Sequence, residues 1–202
     1  MRLISIVLLV AFTVTACGSK QNAPEQMTPL EAAIVVDLSP EKVKALLGSG
    51  TDPNQRSSRG YTALIYASDA LRIPGEREQL STDDVRKADE IVALLLTHGA
   101  DPNLQPQDGY SALDAAIAAN RPVAARALLI GRAEPNGRGD KVTPLMLSAQ
   151  HCRPEIAKDL LEHGADPSRR DDSGASAAEW AERSGCRSVA DAIVAAAAQR
   201  KR

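Results

Sequence analysis

The chain has 202 residues, a formal charge of −2 and a sequence pI near 5.9, a balance that lacks the basic face nucleic-acid binding requires. Apolar residues make up 44% but aromatics only 2%, so the core must be Leu, Ala, Val and Ile packed between thin elements, not a bulky globular centre. In chain order, the first 16 residues stand apart from the fold. Arg2 supplies a short positive region, Leu3 to Phe12 an apolar run, and Thr13 to Ala16 a small-residue approach to a cleavage point, the layout of a signal peptide. The run is too short to span a bilayer, which takes about 20 residues.

Val14-Thr15-Ala16-Cys17 resembles the lipobox of bacterial exported lipoproteins. The resemblance implies that Cys17 becomes the acylated first residue of the mature chain, anchored on the periplasmic side of a membrane. Gly18, standing where an Asp would favour the inner membrane, leans the expectation toward the outer membrane. Residues 17–26 are polar, carry Pro24 and show no periodicity, and read as a flexible tether.

Residues 27–197 are repetitive. Leu46 to Asn54 ends in GTDPN, Ile91 to Asn103 in HGADPN, Leu128 to Asn136 in RAEPN and Leu160 to Ser168 in GADPS. The acidic residue falls at 52, 101, 134 and 166, a period near 33 with 16 extra residues in the second copy. Each ending follows an amphipathic helix that Gly should stop in a left-handed cap, after which Asp-Pro-Asn turns the chain. The third copy has Arg132 in the Gly position and Gly131 one residue earlier, which predicts a looser helix end.

Each copy opens with a second signature: Thr28-Pro29-Leu30, Thr62-Ala63-Leu64, Ser111-Ala112-Leu113, Thr143-Pro144-Leu145 and Ser176-Ala177-Ala178. The hydroxyl residue is a helix N-cap, and Glu31, Asp114 and Glu179 three positions on are placed to complete capping boxes. A short helix follows, with Leu113, Ala116 and Ile117 inward in one copy and Leu145, Ser148 and Ala149 in the next. A second helix starts at Pro122 or Pro154, burying Ala125, Leu128 and Leu129 or Ala157, Leu160 and Leu161. No such unit can bury its apolar stripes alone, so stacked neighbours must supply the core. In the second copy Leu71 to Leu80 reads as a loop, and Ser81-Thr82-Asp83-Asp84 starts a helix lengthened by about two turns. The insertion near 70–86 is a decoration or a contact of its own. Ala195 to Ala198 belongs to a closing helix, and 198–202 is a basic tail.

These two signatures resemble the ankyrin-repeat family, whose unit carries G-x-T-P-L-H-x-A-A and ends L-L-L-x-x-G-A-D-x-N. The resemblance covers Met27 to about Ala197, five units with the last truncated, and implies an all-α solenoid of helix-turn-helix units joined by β-hairpin-like loops. It departs at the family's His, replaced by Glu31, Ile65, Asp114, Met146 and Glu179.

Chemistry-bearing residues are sparse. With Cys17 acylated, Cys152 and Cys186 remain, in the helix-to-helix turns of consecutive units, and an exported protein makes a disulfide between them the expectation. A metal site from His151, Cys152 and Cys186 has three ligands and no zinc-finger spacing, so no metal and no other cofactor is expected. No nucleophile elbow, zinc-protease helix or phosphate loop is present, and no catalytic residue is assigned. Family geometry leaves the residue before each opening hydroxyl outside the core on the concave side: Met27, Tyr61, Tyr110, Val142 and Ala175. The first four are the candidate partner-binding residues, the tyrosines serving as contacts or as covers for the hairpin bases. Tyr66, Leu147 and Trp180 share another slot and read as core packing. The resemblance therefore implies a monomeric, non-catalytic protein-binding module with no nucleic acid and no small-molecule substrate. It would be a neutralising or protective partner of another envelope protein, such as an immunity protein; alternatively, a structural tether.

Overall fold

The computed structural model describes residues 27–69, 81–138 and 142–199. The leader, Cys17, the tether, the inserted loop at 70–80 and the last three residues lie outside them. Ten helices form among the described residues: α1 Pro29–Val35, α2 Pro40–Gly48, α3 Ala63–Ser68, α4 Thr82–Thr97, α5 Ala112–Ala118, α6 Pro122–Ile130, α7 Pro144–Gln150, α8 Pro154–Glu162, α9 Ala177–Arg183 and α10 Arg187–Gln199. They pair into five units, α1–α2 through α9–α10. The odd helices, each of six or seven residues, stack on one another in one layer, and the even helices stack in a second.

Helices this short are unstable alone, and their ends show what the sequence adds. Thr28, Ser111 and Ser176 each accept the amide three residues on, while Glu31, Asp114 and Glu179 return a carboxylate to the cap amide. In the fourth unit Met146 takes the carboxylate's place, its sulfur 3.4 Å from the Thr143 amide. Thr62 makes no side-chain cap, and α3 is the shortest helix.

The apolar stripes meet in one continuous core running through all five units, from Leu30 and Ile34 past Leu64, Ile91, Leu113, Leu128, Leu145 and Ile156 to Val189 and Ile193. Alanines at 67, 115, 116, 149, 157 and 181 are fully covered, and it is their small size that lets the helix layers close. Leu161 is only half-buried, so the fourth unit relies on Ile156, Ala157 and Leu160.

The predicted loosening of the third helix end does not occur. Arg132 takes up the left-handed conformation itself, φ 68°, as Gly99 and Gly164 do at 87° and 97°. Its end closes with the same two bonds as theirs: Ala133 N–H to Leu128 O at 2.9 Å and Arg132 N–H to Leu129 O at 3.0 Å. At Gly131 a Cβ would sit 3.0 Å from Leu96 Cδ2, so a side chain there would have to push that leucine aside by a few tenths of an ångström.

The Asp-Pro-Asn hairpins form no strand among the described residues, only isolated antiparallel bridges at Arg56–Thr62 and Arg170–Ser176. Their polar residues do two jobs. Asp52, Asp101 and Asp166 accept the amide two residues on, each at 2.9 Å, folding the turn. The asparagine then reaches the next unit: Asn54, Asn103 and Asn136 accept the amides of Asp101, Glu134 and Asp166 at 2.8, 2.8 and 2.7 Å. The turn motif is thus also the clip that stacks one unit on the next.

The insertion lengthens α4 to 16 residues against nine for α2, α6 and α8. Ser81 caps it and Asp84 completes a capping box. At the other end of the chain α10 continues past Ala198 to Gln199, one residue into what the sequence pattern leaves to the basic tail.

Candidate functional site

The stacking of the units brings the residues that precede each opening hydroxyl into one row, beside the hairpins and the short-helix layer. Met27 is 47% exposed, and Tyr61, Tyr110 and Val142 are half-buried against the core. Ala175, in the same row, is covered and presents no side chain to a partner. Tyr66, Leu147 and Trp180 pack against the core as expected but are only half-buried.

The two tyrosines are joined by a residue that the sequence pattern does not single out. Tyr61 donates its hydroxyl to Asp108 Oδ2 at 2.5 Å, and Asp108 Oδ1 accepts the Tyr110 amide at 3.1 Å. The Asp108 hydrogen bond, with burial second, pushes the Tyr61 hydroxyl up to about 12. The Tyr66 ring lies 5.8 Å from that of Tyr61, tilted by 41°, and burial raises its hydroxyl above the ordinary value. Tyr61 is therefore a neutral donor fixed in orientation by a carboxylate of the neighbouring hairpin, and its ring is backed by a second aromatic. Such a side chain loses little rotamer freedom on contact, which suits it to an interface.

At the far end, Trp180 does more than fill the space left by small alanines. Its indole Nε1–H donates to Asp171 Oδ2 at 2.8 Å. Asp171 also accepts from Ser173 and from the Ala175 amide, and these bonds, Ser173 first, hold its carboxyl down at about 2. The carboxylate locks the hairpin to the ring.

Cys152 and Cys186 are joined by a disulfide with Cα atoms 5.5 Å apart. The slots explain how stacked units come so close. Cys152 holds the left-handed turn position, φ 54°, shared with Leu38, Asn120 and Gly185. Cys186 holds the next position, shared with Arg121 and Arg153, and the one-residue offset brings it toward the preceding unit. His98 and His163 each place Nδ1 2.8 Å from a carbonyl of their own helix end, Leu94 and Asp159, and are spent there. Among the described residues no group of three His, Cys, Asp or Glu side chains is placed to hold a metal. None of the described helices is long and apolar enough to cross a membrane.

Residues 85–171 match the family model described as ankyrin repeats, in three copies. No curated protein matches the chain. Ankyrin repeats are protein–protein interaction modules, a family typically without enzymatic activity. The matched span, less than half of the chain, runs from the first turn of α4 to the fourth hairpin, and the helix pairs on either side stack in the same two layers, so the fold of the described residues is an all-α solenoid of the ankyrin-repeat kind.

Proposed function

We propose that the protein is a non-catalytic, monomeric binding module. It is held by lipid on Cys17 at the periplasmic side of a bacterial membrane, the outer one in preference to the inner, and neutralises or protects another envelope protein. The observation that carries the binding surface is the Tyr61–Asp108–Tyr110 bridge, two half-exposed tyrosines tied into one row with Met27 and Val142. Such a row supplies aromatic contact area with one polar tip, the Tyr61 hydroxyl, already oriented. The place rests on the lipobox-like Val14-Thr15-Ala16-Cys17.

The test is affinity capture from envelope extracts with the full chain and with Tyr61→Ala/Tyr110→Ala. Loss of a specific co-purifying protein in the double variant is expected, with about a 100-fold weaker Kd once that protein is isolated, as for two anchors at 1–2 kcal/mol each. An unchanged set of partners and affinities overturns the surface. Cys17→Ala should move the protein from the membrane to the soluble fraction; continued membrane association overturns the anchor.

A further inference from the structure

The joint between the fourth and fifth units is built unlike the three before it. At each of those, an asparagine carbonyl accepts the amide of the next hairpin's acidic residue. The fourth hairpin has Ser168 in that place, and its hydroxyl turns back on Asp166 Oδ1 at 2.7 Å. The receiving side is absent too, because α10 runs on to Gln199 with no left-handed stop or hairpin amide where its neighbours end. The last joint therefore lacks the clip from both directions.

On the opposite end of the units it has something the others lack. Arg121, Arg153 and Cys186 occupy one slot, each donating its amide to the carbonyl five residues back, Ala116, Ser148 or Ala181, at 2.8 Å. Arg121 uses the slot to reach back into the preceding unit, bonding Asp89 and the Val85 carbonyl of α4. Cys186 reaches back in the same sense, but covalently, to Cys152. Cys152 is exposed and Cys186 is 2% exposed, so one face of the bridge is open to attack while the other sulfur is seated in the core.

We propose that the Cys152–Cys186 disulfide is a redox-operated clamp that decides whether the fifth unit is docked on the array. A dithiol reductant opens it in two exchanges. A reductant thiolate attacks Cys152 Sγ, the Cys152–Cys186 bond breaks, and Cys186 leaves as a thiolate and takes a proton. The reductant's second thiol then attacks its own sulfur in the mixed disulfide and releases Cys152 as a thiol. Two electrons pass from the dithiol, now a disulfide, to the protein. With the clamp open, the fifth unit keeps its stacking contacts, made by the small Ala177 and Ala181 of α9 and by Val189 and Ile193 of α10. In a one-dimensional array, a terminal unit that loses its neighbour term undocks without the rest. Opening removes Trp180 and the Asp171 hairpin from the end of the candidate binding row; only that last consequence rests on the function proposed above.

Amide hydrogen exchange on the purified full chain, with and without dithiothreitol, tests this. Trp180 is the single tryptophan and gives a parallel fluorescence signal for the fifth unit alone. Reduction is expected to speed exchange in α9 and α10 by about 500-fold, the scale of releasing a cross-link over 34 residues, and to red-shift Trp180 emission. Exchange in α5 and α6 should change by less than about threefold. Cys152→Ser/Cys186→Ser in oxidising buffer should copy the reduced wild type. Two results overturn the clamp: α9 and α10 keeping their protection on reduction, or every unit losing protection in step. Neither depends on finding a partner.

Discussion

The joints on either side of the third unit both carry an arginine–carboxylate pair, and the pairs are built in opposite ways. Between the second and third units, Arg121 is the buried member, 4% exposed, with its Nη2 2.5 Å from Asp89, itself 16% exposed. Two of its other nitrogens, Nε and Nη1, are buried without a partner. Between the third and fourth units the carboxylate is buried, Asp159 at 3%, and Arg126 is 61% exposed. Here the arginine binds both oxygens, through Nε at 3.2 and 3.1 Å and Nη2 at 2.9 Å. A buried cation with unmade bonds depends entirely on its one counter-charge, whereas a buried carboxylate satisfied from the solvent side can exchange its partner for water. The inserted residues contribute to the first arrangement: Val85 lies on the turns by which α4 exceeds its neighbours, and Asp89 stands just past them, at the position that Pro40, Pro122 and Pro154 hold in the shorter helices.

The largest expected effect follows from that dependence. Asp89→Ala leaves the Arg121 guanidinium buried and uncompensated and should cost about 3–5 kcal/mol in urea unfolding. Arg121→Met, which removes the charge and keeps the stem, should cost far less, and in the Asp89→Ala background should recover most of the loss. If Asp89→Ala costs under about 1 kcal/mol, Arg121 has swung out to solvent and the two joints are energetically alike.

Arg126→Ala provides the opposite limb of the comparison. Water can reach Asp159 from the side the exposed guanidinium leaves, so the expected loss is about 1 kcal/mol, most of it gone in high salt. A loss as large as that of Asp89→Ala would show that burial of either member is equivalent, and that which side faces solvent is immaterial.

Much of the fold is legible in the sequence because its signals are local. The capping boxes at Glu31, Asp114 and Glu179 join residues three apart, and the start of α4 is written in Ser81 and Asp84. Contacts between units are less visible. Tyr61 and Asp108 are 47 positions apart, and Arg121 and Asp89 are 32 apart, meeting only because of how the units stack and where the insertion sits. The asparagine of each turn reads as a turn former, and its reach to the next unit appears only once the hairpins are stacked. Tyr66, Leu147 and Trp180 pack against the core as their slot predicts, and what the sequence does not show is that each stays only half-buried there.

The smallest expected effect concerns the backbone at the insert-bearing joint. Arg132 holds the left-handed conformation that glycine holds in the other copies, and its carbonyl accepts the Asn103 side-chain amide at 2.9 Å. A left-handed non-glycine residue costs roughly 1–2 kcal/mol, and glycine gives back about 0.5–1 kcal/mol through the freedom it adds to the unfolded chain. Arg132→Gly should therefore raise stability by about 0.5–1 kcal/mol, read as a higher urea midpoint at unchanged m, with the clip from Asn103 intact. Because the side chain is exposed, nothing in its packing opposes the gain. A loss of stability would mean that the arginine side chain, and not only the backbone it strains, holds this joint.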